Sequence, residues 1–94
     1  MSVQTLTLEL STLFARPEKE LVRDGMLALI AREIRLAESV IADICERYDV
    51  FSQEALYQAI QSGEVSAHPA WEEYIIWKNK EAHITRLHEL AERG

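Results

Sequence analysis

Seven residues decide most of what this chain can become. Leu27, Ile30, Ile34, Ala37, Ile41, Ile44 and Tyr48 are spaced 3-4-3-4-3-4. That spacing lays one apolar stripe down a helix, three heptads long, like the seam of a coiled coil. Pro17 suits the first turn of such a helix, and Glu18 and Glu20 favour the positive end of its dipole. The pattern predicts a helix over about residues 18–48, about 45 Å long. A second row, Val22, Met26, Leu29, Leu36 and Val40, lies beside the first and is interrupted by Glu33. Together the rows cover about half the circumference, more than a two-stranded coiled coil needs, so the helix belongs in a bundle. Gly25 weakens it by about 1 kcal/mol and permits a bend.

The remaining elements follow from caps and turns. Ser52 is a natural N-cap and Gly63 a natural C′ residue, which predicts a short helix over about 53–62 with Leu56, Tyr57 and Ile60 as its stripe. Pro69 fits the first position of a last helix, about 69–92. Residues 3–10, VQTLTLEL, alternate as a strand does, yet LELSTLF also opens a helix. A lone strand lacks a sheet to join, so residues 6–15 read as helix or irregular structure, with a short N-terminal strand as the alternative. The fold class is therefore all-α and residues 1–94 form one domain. A chain of 94 residues is near the lower end of what buries its own core, so a dimer seamed along Leu27–Tyr48 is expected to complete the bundle.

The last helix changes face. Trp71, Tyr74, Ile75 and Ala82 share one side, while Ile76, Trp77, Ile84, Leu87 and Ala91 fall on the other at about 100° per residue. A helix buried on one face does not read this way. Trp71, which shares its side with Ile75, is assigned to the core. Trp77, on the second side, is either core or an interface anchor.

Chemistry-bearing residues do not assemble into a catalytic site. His83 and His88 are five apart, His68 lies in a loop, and with Cys45 they make no metal-ligand spacing. Cys45, at the edge of the seam, reads as a small buried hydrophobe. Glu72 and Glu73 point about 100° apart and suit a helix start. No Gly-rich phosphate loop or nucleophile elbow occurs. The expectation is a protein that is not an enzyme and uses no cofactor or metal.

Charge directs attention to partners. The net charge is −6, and no Lys or Arg lies between Arg47 and Lys78, where Asp49, Glu54, Glu64, Glu72 and Glu73 sit. Such a chain is a poor direct binder of nucleic acid. A ribbon-helix-helix DNA reader is rejected because its ribbon would carry only Glu9 among charged groups and its helix would be too long. A single cysteine, no signal-like N-terminus and no long apolar run lead to the expectation of a soluble cytoplasmic protein without membrane attachment.

Four local features carry a family likeness: Arg47-Tyr48 at a turn, Ser52-Gln53-Glu54 opening a short helix, Gly63-Glu64-Val65 closing it, and Trp71-Glu72 in the last helix. Over residues 20–90 the chain resembles a family of small helical archaeal and bacterial proteins. Many of these are treated as the antitoxin-like half of toxin–antitoxin pairs, beside a small RNA-cleaving toxin. Tyr48-Asp49 here stands where Tyr-Gly is usual in that family. The resemblance implies an interaction module that binds a basic, toxin-like protein through the acidic 49–73 region and the last helix. Glu64, Trp71, Glu72, Glu73, Ile76, Trp77 and Ile84 are the expected contacts. A stand-alone structural homodimer is the alternative.

Overall fold

Every described residue that forms regular structure is helical. The computed structural model describes residues 2–94, and its elements are α1 (Val3–Phe14), α2 (Glu18–Tyr48), α3 (Gln53–Ser62) and α4 (Ala67–Arg93). The alternating N-terminus is thus helix, which corrects the strand alternative. Ser2 caps α1 by accepting the Thr5 N–H at 3.1 Å. The Thr7 and Thr12 hydroxyls bond back to the carbonyls of Val3 and Leu8, the local bonding that lets threonine sit in a helix. Leu6, Leu10 and Leu13 recur at helical spacing and outweigh the period-2 pattern.

Three left-handed residues punctuate the chain. Ala15 (φ 53°) ends α1, and the Arg16 N–H closes on Ser11 O at 3.1 Å. Arg16 then bridges Asp24 at 2.6 Å and Glu20 at 3.5 Å, fixing the elbow into α2. The hydrogen bond to Asp24 and its charge hold the guanidinium pKa above its ordinary value. Asp49 (φ 54°) ends α2, and the Val50 N–H reaches back to Cys45 O at 3.0 Å. Gly63 (φ 81°) ends α3 at no steric cost. Ser52 caps α3 by accepting from Ala55 N–H at 3.0 Å. His68 is extended (φ −115°, ψ 119°) as a residue before proline must be, so the regular turns of α4 run from Pro69.

The left-handed Asp49 is a place to gain stability. An L-residue there carries a backbone penalty that glycine lacks. Asp49→Gly is expected to stabilise the chain by about 1 kcal/mol, or about 4–8 °C in Tm. A lowered Tm in a calorimetric scan contradicts this account of the turn.

α2 and α4 form an antiparallel hairpin. At one end Arg23 Nε donates to Gly94 O at 2.6 Å; at the other Arg47 pairs with Glu73. Ala37 and Ile44 of the seam are buried, and the other five seam residues are half-buried. The core gathers Ile44, Val50, Leu56 and Trp77, flanked by Val40, Ile41, Tyr48, Ile60 and Tyr74. The seam is therefore largely used inside the chain, against α4, whereas its spacing alone predicts a contact between two copies. The reason is length: α4 carries a matching 3-4 row, Ala70, Trp77, Ile84, Leu87 and Ala91, and the α3 turn folds it back onto α2.

The molecule is long and thin, 60 × 26 × 18 Å, with a radius of gyration of 19.5 Å. A compact chain of about 100 residues has a radius near 13 Å. Among the described residues none of α1's is buried.

Candidate protein-binding surface at the α3–α4 end

Trp71 and Tyr74 stand one turn apart on α4, and Tyr57 of α3 faces them. The Trp71 and Tyr74 rings stack with centroids 5.4 Å apart. Tyr57 tilts against both, 5.7 Å from Tyr74 and 6.4 Å from Trp71. The cluster ties α3 to α4, yet it stays in contact with solvent. Trp71 is 43% exposed and Ile75, one turn on, is 42% exposed. Gln53, Glu54, Tyr57, Gln58 and Tyr74 line a shallow depression of about 340 Å³ beside it.

The two tryptophans part company, and Trp77, left open between core and interface by its spacing, is the one in the core. Trp77 is 3% exposed at the centre of the hairpin core, its indole N–H donating to Glu81 Oε1 at 3.1 Å. Trp71, assigned to the core, is on the surface. Helical spacing shows correctly that α4 has two apolar sides, but not which one α2 covers. Ile84 goes with Trp77: it faces α2 and lines a depression with Glu38, Ile41, Ala42 and Glu81. Ile76 remains on the surface.

The carboxylates also divide. Glu73 is paired with Arg47 and its side chain is 17% exposed, so it holds α4 to α2. Beside this pair the Tyr48 pKa lies above its ordinary value: burial disfavours the phenolate and the charge of Glu73 adds to the effect, while Arg47 opposes it. Glu72 meets His68 Nδ1 at 2.9 Å on the surface. Glu64 stands exposed in the loop after α3. One cation closes the acidic stretch, Lys78, whose ammonium lies 5.8 Å from the centre of the Tyr74 ring.

Phe51 is a surface feature that the sequence reading passes over. It precedes the N-cap Ser52, the position from which an apolar residue commonly staples onto the fourth helical residue, here Leu56. Leu56 is fully buried, but Phe51 is 94% exposed and leaves the staple unmade. The sequence carries the staple pair Phe51 and Leu56, and nothing in it marks that pair as unmade.

Among the described residues no group of three or more His, Cys, Asp or Glu is placed to hold a metal ion. No helix among them is long and apolar enough to cross a membrane. Cys45 is a half-buried free thiol against the core cluster.

Comparison with known proteins returns no matching curated protein and no matching solved structure. One family model matches, over residues 1–92, and its description carries no mention of antitoxins. The chain belongs to that family, the Uncharacterized protein MJ0235 family.

Proposed function

We propose that the chain is a protein-binding module whose α3–α4 end engages a basic partner protein. The observation that carries this reading is the half-exposed Trp71, stacked on Tyr74 and braced by Tyr57. A rigid aromatic anchor with an apolar neighbour, Ile75, is the kind of group on which interface energy concentrates. Glu54, Glu64 and Glu72 supply negative charge along the same part of the chain, where Lys and Arg are missing from residue 48 to residue 77. Such charge speeds encounter with a basic surface and selects against acidic ones.

The narrower form of the proposal is antitoxin-like. A small RNA-cleaving protein needs a basic surface for its substrate, and an acidic plug with an apolar centre would cover it. The test is co-purification with the product of the neighbouring gene. Binding is expected, and Trp71→Ala is expected to weaken it roughly tenfold or more. A neighbouring product that is neither bound nor toxic when expressed alone removes the antitoxin form. Binding that Trp71→Ala leaves unchanged removes the aromatic surface as the contact.

A further inference from the structure

A second apolar surface lies far from that aromatic cluster. α1 projects from the hairpin: the long axis, 60 Å, exceeds the about 46 Å that a helix of α2's length spans. α1 carries one charged residue, Glu9, and a stripe containing Leu6, Leu10 and Leu13, 46%, 36% and 74% exposed. A 12-residue helix is marginal in water by itself and needs something to pack on. α2 presents a complementary bare row. Met26, Leu29 and Leu36 are 58%, 55% and 52% exposed, about a quarter turn round the helix from the seam that α4 covers. Gly25 lies on this bare side. A Cβ added there would meet nothing within 4 Å, so no contact among the described residues explains a glycine in mid-helix.

We propose that a second copy of the chain covers these surfaces, α1 of each protomer lying along the bare row of α2 of the other. Each chain supplies both halves, a ridge on α1 about 10 Å long from Leu6 to Leu13 and a row on α2 about 15 Å long from Met26 to Leu36. A two-fold axis fills both pairs at once. Leaving out Leu8, which lies on the far side of α1, nine large apolar side chains of α1 and α2 are more than a third exposed. They leave on the order of 1,000 Å² uncovered per chain, the scale of one side of a stable dimer interface. Gly25 then has a use, since it lets the incoming helix approach closely. The elbow at Ala15–Pro17, fixed by Arg16 on Asp24, sets the direction in which α1 leaves α2, and no α1 residue is buried by the contact the two helices make.

The test is sedimentation of the full chain and of two variants, Leu29→Glu on the row and Leu10→Glu on the arm. The full chain is expected to be a dimer. Each variant is expected to weaken it roughly a hundredfold while far-ultraviolet circular dichroism keeps its helical signal. An equimolar mixture of the two variants is expected to recover dimer that neither forms alone, because one intact arm then meets one intact row. Trp71→Asp, on the other surface, is expected to leave the dimer unchanged, so this proposal and the partner reading fail separately. A full chain that stays monomeric at high concentration overturns the proposal. So does a dimer that survives both variants, or a mixture that recovers nothing. If Leu29→Glu loses its helical signal, Leu10→Glu and Gly25→Leu decide. Leu10 is not buried within the chain, and Gly25→Leu is expected to raise Tm while weakening the dimer. A Gly25→Leu dimer as tight as that of the unaltered chain counts against the close approach.

Discussion

Trp77→Ala is expected to cost about 3–5 kcal/mol, much of the about 5–15 kcal/mol that holds a typical domain folded. The ring is 3% exposed and sits in one cluster with Ile44, Val50 and Leu56, where α2, α3 and α4 converge. Removing it opens a cavity that the rigid seam cannot collapse to fill, and it strips Glu81 of the indole N–H. Trp71→Ala is expected to cost only about 1 kcal/mol, because 43% of that residue is already in water and its loss breaks ring contacts on one side only. Denaturant melts of the two variants measure the difference directly. Fluorescence adds an independent reading: the emission remaining in Trp71→Ala comes from the buried Trp77 and is expected to shift to the blue. Equal costs for the two variants, or a larger one for Trp71→Ala, contradict the placement of the core.

Local chemistry explains why the helices were legible and the faces were not. The expected spans of about 18–48 and about 53–62 coincide with Glu18–Tyr48 and Gln53–Ser62. Caps and turn residues fix helix ends, and they lie within a few positions of the end they fix. Ser52 caps through its own hydroxyl, and Gly63 takes the left-handed conformation without the penalty that Ala15 and Asp49 bear. The 3-4 spacing of Leu27 to Tyr48 likewise predicts a buried stripe, and the stripe is covered. What covers it is a long-range fact. An antiparallel helix of the same chain and a helix of a second copy demand the same spacing. Only the connection through α3 distinguishes them, by folding α4 back so that Arg47 meets Glu73 and Arg23 meets Gly94. The same gap misassigned Trp71 and left Trp77 undecided. Six residues separate them and each lies on an apolar side of α4, so periodicity ranks neither above the other. The N-terminus was ambiguous for a different reason: Leu6, Leu8 and Leu10 satisfy period 2, while Leu6, Leu10 and Leu13 satisfy period 3.6.

Ile44→Asp is expected to unfold the chain at every concentration. Ile44 is 3% exposed and packs in the cluster that includes Trp77 and Leu56. A carboxylate placed there is removed from water with no cation among the clustered residues, a cost of several kcal/mol beyond the lost apolar burial. If the seam joined two copies instead, the same substitution would leave a folded monomer, and circular dichroism would show full helicity after the dimer was lost. Leu36→Asp supplies the contrast on the same helix. Leu36 is 52% exposed and points about a quarter turn away. A charge there meets water, so the protomer is expected to lose at most about 0.5 kcal/mol. The two variants separate what the seam spacing alone leaves merged: one side of α2 holds the protomer together, and the other is free to join protomers. Ile44→Asp should abolish helicity at any dilution, whereas Leu36→Asp should keep helicity and change only the dependence on concentration. A helical Ile44→Asp protein would return the seam to an interface between copies and leave α4 without its partner helix.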